Sequence, residues 1–226
     1  MSSVGLRWTF LNQHLMLLPA KVIFWEEERA LIIADLHIGK VGHFRKAGIA
    51  IPKLMEQEEL ALLSDLITEF RPTQLIFLGD LFHSEMNNDW NWLQLWRDLF
   101  AGIKMTLIQG NHDILHIDYY KQANFEIYHE LCLGPFLFVH DKKDYEMIPE
   151  QEVYILSGHI HPAIRLKGKA RQSLLLSCFY FGKTAGVLPA FGKFTGKCCL
   201  PIDDNDTVFG VLNDKVILLD TALKNH

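Results

Sequence analysis

The sequence predicts an α/β fold, a sandwich of two mixed β-sheets with helices outside, and three features point to it. Between residues 31 and 108, short apolar runs alternate with helical patterns, the rhythm of parallel strands joined by crossover helices. Beyond Phe125 the rhythm changes to apolar runs joined by shorter loops, which a second sheet facing the first would explain. No Pro/Gly/Ser linker, low-complexity tract or fixed-period repeat divides the chain. With 226 residues, 49% of them hydrophobic, the chain is long enough for one substantial core, and a single domain over 1–226 is expected.

In chain order, Leu31-Ile32-Ile33-Ala34 reads as a buried strand. Pro52 then opens an amphipathic helix with Leu54, Leu60, Leu63, Leu66 and Ile67 at helical intervals, ending before Pro72. Leu75–Leu78 is the next strand, Asp89–Phe100 the next helix and Met105–Ile108 the next strand. Further strands are expected at Phe136–Val139, Val153–Leu156, Leu174–Leu176, Val208–Leu212 and Val216–Leu219, with Asn213-Asp214 as a hairpin turn. The apolar stretch Leu15–Leu18 stops at Pro19, far too short to span a bilayer, so no membrane segment is predicted.

Bulk charge narrows the function. A formal net charge of −5 argues against a protein that grips duplex nucleic acid mainly through a basic surface. Bound divalent cations would add local positive charge that this count omits. Cys132, Cys178, Cys198 and Cys199 show no C-x-x-C spacing, and the N-terminal residues lack a signal-peptide pattern, so a reduced, cytoplasmic protein is expected.

Five apolar runs end in metal-ligand residue types: Asp35-x-His37, Gly79-Asp80, Gly110-Asn111-His112-Asp113, His140 and Gly158-His159-x-His161. Strand ends in α/β sheets open onto one edge, so residues remote in sequence can converge there. The two-residue spacings of Asp35/His37 and His159/His161 let each pair project to one side if the backbone stays extended. Glycine precedes Asp80, Asn111 and His159, where a sharp turn or close backbone approach is expected. Imidazole, carboxylate and amide oxygen without thiolate suit manganese, iron or zinc. Seven candidate ligands exceed one tetrahedral ion and fit two ions about 3.5–4 Å apart that share a carboxylate, as in-line phosphoryl chemistry requires.

In this order the motifs resemble the calcineurin-like metallophosphoesterase superfamily over most of the chain. The resemblance implies a sandwich of two mixed sheets flanked by helices, a dinuclear metal site at the strand ends, and phosphoester hydrolysis by a hydroxide that bridges the ions. Residue by residue, it implies that Asp35, His37 and His161 hold one metal, that Asn111, His140 and His159 hold the other, and that Asp80 bridges them. His112 would contact the phosphate and protonate the leaving oxygen, oriented by Asp113.

One departure refines the resemblance: Leu81-Phe82-His83-Ser84 follows Gly79-Asp80 where an acidic residue is common at the position of His83. With Ala34–Lys40, His43-Phe44-Arg45, Ala47-Gly48-Ile49 and Leu188–Gly196, the chain resembles the bacterial ligase-associated DNA damage response endonucleases called PdeM. That implies a manganese-dependent phosphodiesterase or endonuclease acting on DNA beside a DNA ligase, a helicase and a nuclease of metallo-β-lactamase type. A phosphoesterase for nucleotide pyrophosphates, cyclic nucleotides or small monoesters is the nearest alternative. A non-catalytic scaffold is a further one, against which the intact ligand set argues. Gly110-Asn111-His112-Asp113 in place of G-D-x-x-D-R-G disfavours a protein phosphatase.

Other residues carry weaker signals. His43 and His83, on loops leaving ligand-bearing strands, have two readings of equal standing, substrate contact or structure; Arg45 could meet a phosphate, and a solvated loop explains it almost as well. His14, His116, His129 and His226 read mostly as structural or surface residues. Arg165, Lys167, Lys169 and Arg171 around Gly168 read as a polar hairpin turn. Trp92, Leu95, Trp96 and Leu99 have helical spacing and read as a face packed into a core or subunit interface, in preference to base stacking by Trp90, Trp92 and Trp96.

Overall fold

Parallel strands buried on both faces organise the computed structural model, which describes residues 5–40, 54–144, 153–167 and 172–219, without the side chains of 54–56, 144 and 167. In the first sheet, β4 (Ala30–Ile33), β5 (Gln74–Phe77), β6 (Lys104–Ile108) and β7 (Glu126–Tyr128) run parallel. The crossovers carry helices α1 (Leu54–Phe70), α2 (Asn88–Leu99) and the short α3 (Ile117–Gln122). Side chains alternate between the two faces of this sheet. Leu31, Ile33, Leu75, Phe77, Met105 and Leu107 pack towards the helices. Ala30, Ile32, Ile76 and Ile108 pack towards the second sheet.

Three antiparallel strands extend this sheet at one edge: β1 (Leu6–Phe10), β2 (Gln13–Leu17) and β3 (Ile23–Trp25). The sequence reading assigned no strand before Leu31. The β1–β2 turn is Leu11-Asn12, both at positive φ (52° and 59°), which matches the left-handed pair of a two-residue hairpin without the usual Asn-Gly signal.

The second sheet runs β14 (Cys198–Cys199), β11 (Pro162–Lys167), β12 (Ser173–Phe181), β13 (Ala185–Val187), β10 (Tyr154–Ser157), β9 (Phe136–Val139), β8 (Glu130–Leu133); β15 (Thr207–Val211) joins β12 and β16 (Val216–Leu218) joins β15. Its strands β9, β10 and β13 are parallel and the rest largely antiparallel. The two sheets meet over an aromatic layer in which Trp25 stands edge-on to Phe136 (5.1 Å) and Phe10 edge-on to Tyr154 (4.7 Å). The expected hairpin at Asn213-Asp214 joins β15 to β16, closed by Leu212 N donating to Lys215 O. The β11–β12 pairing supports the turn around Gly168, although residues 168–171 lie outside the described set, as does Pro52. No helix among the described residues is long and apolar enough to cross a membrane.

Helix α2 buries a different face from the one expected. Trp90, Leu93, Trp96 and Arg97 are inside, while Trp92, Leu95 and Leu99 are 51%, 58% and 79% exposed. Two contacts set this phase. The Asn87 side chain caps the helix by accepting from the amides of Asp89 and Trp90, and Trp90 then stands edge-on to Phe82 and Tyr120. The buried Arg97 guanidinium donates to the carbonyls of Phe100, Ile103 and Asn124. An arginine satisfied by carbonyls is compatible with an interior that hydropathy alone assigns to leucine.

Helix α1 is tied to the 188–196 segment through Glu59, which is 5% exposed and whose Oε1 accepts from the Lys193 amide at 2.7 Å. Burial raises its pKa from 4.5 to about 7, partly offset by the Lys193 amide and by Lys21. The folded form therefore keeps a proton that the unfolded chain releases. Stability is highest below pH 4.5 and falls as pH rises through about 7. Denaturant unfolding of Glu59→Gln, which retains the acceptor, is expected to remove this decline and gain on the order of 3 kcal/mol over the wild type between pH 5 and pH 8. Parallel pH profiles for the two proteins would contradict it.

Candidate metal centre

The five motif segments converge because each follows the C-terminal end of a parallel strand: Asp35 after β4, Asp80 after β5, Asn111 after β6, His140 after β9 and His159 after β10. Beyond the strand ends, the first two loops stay in register through His37 N to Asp80 O (2.8 Å) and Ile38 N to Leu81 O (3.0 Å). The backbone there is not extended, as the two-residue spacing had assumed. Asp35, His37, Asp80, His159 and His161 all sit at positive φ, between 50° and 68°. Left-handed non-glycine residues cost of order 1–3 kcal/mol each and persist where surrounding contacts over-determine them. Here they turn the side chains onto one spot.

Close approach explains the glycines. A Cβ on Gly79 (φ +80°) would lie 2.1 Å from His140 Nδ1, and one on Gly158 would lie 2.7 Å from Asp35 Oδ2. Neither position has room for a side chain.

Two groups of ligand atoms result, Asp35/His37/His161 and Asp80/His140/His159, each with its atoms within 4.8 Å of one another. Asp80 faces both groups: Oδ2 is 3.7 Å from His37 Nε2 and Oδ1 is 3.5 Å from His140 Nε2. Asn111 Oδ1 lies 2.9 Å from His140 Nε2 and so belongs with the second group. All seven expected ligands are thereby brought together.

The donors fit divalent cations. His37 Nε2 and His161 Nε2 are buried without a hydrogen-bond partner, and His161 Nε2 lies 3.6 Å from Asp35 Oδ1. That separation is long for a hydrogen bond and suits two ligands each about 2.1 Å from one ion. Burial, reinforced by Lys40 and neighbouring histidines, lowers the His37 pKa to about 2 and holds the imidazole in the neutral, ligating form. His140 Nδ1 is 2.9 Å from Leu78 O, so its proton sits there and Nε2 turns its lone pair to the site. The carboxylates are held by backbone donors, Asp35 by the His159 amide and Asp80 by the His112 amide.

His112 lies beside this cluster, its ring 5.6 Å from that of His37 and 3.8 Å from that of His83. Burial lowers its pKa, opposed by Asp80. His83 Nδ1 is 3.2 Å from His37 Nδ1, so His83 is part of the site. Asp113 is not placed to orient His112. Its carboxylate accepts from the Gly110 and Phe82 amides and the Tyr120 hydroxyl, joining two ligand loops. Burial raises its pKa to about 7. His43 and Arg45 lie outside the described residues. His14 pairs with Glu27 and His116 caps α3, as structural readings anticipate.

Two residues at the site were not singled out from sequence. Asp141 Oδ2 is 3.6 Å from His159 Nε2, while His159 Nδ1 faces His140 Nε2 at 3.1 Å; Asp141 thus backs the imidazole from behind. A carboxylate directly after the lone ligand histidine was the available signal. Lys40, half-buried, lies near enough for Asp80 and Asp35 to act on its charge.

Residues 28–172 match the family model described as calcineurin-like phosphoesterase. No curated protein sequence matches. Among solved structures, the nuclease MPE of Pseudomonas putida is similar over 95% of this chain and 100% of its own, at 28% identity and a TM-score of 0.73. The E. coli phosphoesterase Yfce (11% identity, 87% of this chain, 99% of its own, TM-score 0.43) is more distant. So is a protein of Streptococcus pneumoniae TIGR4 described as a predicted phosphoesterase (13% identity, 87% and 91%, TM-score 0.35).

Gly79→Ala tests the packing. With a Cβ inside van der Waals contact of the His140 ring and a positive φ to maintain, the variant is expected to lose at least about 2 kcal/mol of stability and much of its metal affinity. Unfolding midpoints and elemental analysis measure both; wild-type values in both would show that the loop relaxes freely.

Proposed function

Because the chain belongs to the calcineurin-like phosphoesterase family, a metal-dependent hydrolase of phosphoesters, we propose that it is a nuclease that cuts phosphodiester bonds of DNA in DNA repair with two manganese ions. Asp80 carries this reading: one buried carboxylate whose two oxygens face two separate imidazole groups at 3.5 and 3.7 Å is the natural bridge between paired ions. The nucleic-acid substrate is supported by the likeness to nuclease MPE, which extends over both chains. That likeness and the PdeM-type motifs together support a role beside a DNA ligase, a helicase and a further nuclease.

In the proposed site Asp35, His37 and His161 hold one ion, Asn111, His140 and His159 the other, and Asp80 both. When bound, the ions supply an activated water nucleophile near neutral pH and neutralise the phosphate oxygens. The chain's own residues do the rest. Leu78 O and Asp141 keep the His140 and His159 rings oriented. His112, its amide on Asp80 Oδ1 and its ring against His83, stands where it would contact the phosphate and pass a proton to the leaving oxygen.

Two substitutions separate these roles. Asp80→Asn is expected to drop metal content from two ions per chain to below one, with at least a hundredfold loss of activity. His112→Ala is expected to keep both ions and lose about 10²–10⁴-fold in kcat on poor leaving groups, and much less on a p-nitrophenyl diester. The opposite pattern of metal retention would reverse the assignment. For the substrate, manganese-loaded protein is expected to cut a DNA oligonucleotide. Turnover confined to small mono- or diesters would favour a small-molecule phosphoesterase, and no turnover by metal-containing protein a scaffold.

A further inference from the structure

Beside the metal centre lies a cleft of about 530 Å³ whose wall includes Lys21, Lys193 and Lys197. Its loop is anchored to the ligands of one metal group at both ends: Gly192 N donates to Asp35 O (3.1 Å) and Cys198 N to His161 O (3.0 Å). Lys193 and Lys197 therefore sit on a strap spanning two residues of the Asp35/His37/His161 group. Lys21 reaches the same strap from the β2–β3 turn, its Nζ donating to Phe191 O at 2.8 Å.

Three ammonium groups concentrated on one cleft stand out in a chain of net charge −5. They repel: Lys193 and Lys197 add to the burial that depresses the Lys21 pKa. Their carboxylate partners are few. Glu58 pairs with Lys193 at 2.7 Å on the exposed side, and Glu59 retains its proton to about pH 7. Lys21 and Lys197 each donate to one carbonyl, Phe191 O and Leu175 O, and an ammonium carries three N–H donors. The rest of the wall suits a nucleoside. Leu174, Leu176, Val211 and Leu212 are apolar, and Ser177, Thr195 and Asn213 are neutral and polar.

We infer that this cleft is a nucleotide subsite: Lys193 and Lys197, backed by Lys21, hold a non-scissile phosphate of the strand whose neighbouring phosphodiester lies at the metal centre. This rests on the nuclease reading and adds to it where the strand runs beyond the scissile bond. The ions engage the scissile phosphate; the cleft engages substrates long enough to reach it.

The test uses the full chain with manganese, comparing a single-stranded 12-mer oligonucleotide with bis(p-nitrophenyl) phosphate. Lys193→Ala/Lys197→Ala is expected to lose 10–100-fold in kcat/KM on the 12-mer, mainly through KM, a loss at least tenfold greater than on the small diester. The log–log salt dependence of kcat/KM should flatten by about 0.7 for each lysine–phosphate contact removed. Lys197→Gln alone, which spares the Glu58 pair, should show about half of that flattening, and Lys197→Arg should restore the wild-type slope. Equal losses on both substrates, or wild-type kcat/KM and salt slope on the 12-mer, would overturn the subsite while leaving the nuclease reading intact. A wild-type protein that hydrolyses the small diester and leaves the 12-mer uncut would instead sink the nuclease reading, and the subsite with it.

Discussion

Two buried carboxylates constrain the rest of this molecule. Asp35 and Asp80 are 1% and 2% exposed, and an ion taken from water into a protein interior costs several kcal/mol unless it is compensated. Part of the compensation is built into the backbone, since the His159 amide donates to Asp35 and the His112 amide to Asp80. Neutral imidazoles surround the carboxylates without competing protons, and two of their nitrogens are buried with no hydrogen-bond partner. Divalent cations are what such a donor set is suited to hold.

The fold is the means of bringing these groups together. Parallel strands from both sheets end at one edge, and the ligand loops there are packed so closely that Gly79 and Gly158 have no room for a Cβ. Side chains that would otherwise point away are turned inward by left-handed backbone at five positions. That strain is carried by the strands beneath, whose apolar side chains are buried on both faces of the first sheet. Asp113 completes the arrangement by joining the loop after β5 to the loop after β6 through the Phe82 and Gly110 amides.

Much of the fold was legible along the chain. The runs around Ile32, Ile76, Leu107, Leu137 and Ile155 became strands within a residue or two of their expected limits, because a strand buried on both faces must be apolar throughout. The N-terminal strands escaped notice since their hairpin turns on Leu11-Asn12 and their burial is half-exposed along β1. Helix α2 was read with the wrong face inward because Arg97 is buried and Leu99 is exposed, an inversion that only the surrounding carbonyls explain.

The sequence alone determined the chemistry available: which ligand types exist, their order, and their position at the ends of apolar runs, all properties of single residues and local periodicity. Tertiary structure decided how that chemistry is arranged. Asp35 meets the His159 amide across 124 residues and His140 meets Leu78 O across 62. Which oxygen of Asp80 faces which imidazole, which ring nitrogen carries the proton, that Asp141 backs His159, and that three scattered lysines share one cleft depend on such contacts. No local pattern encodes them, because each is set by where two distant loops are forced to pass.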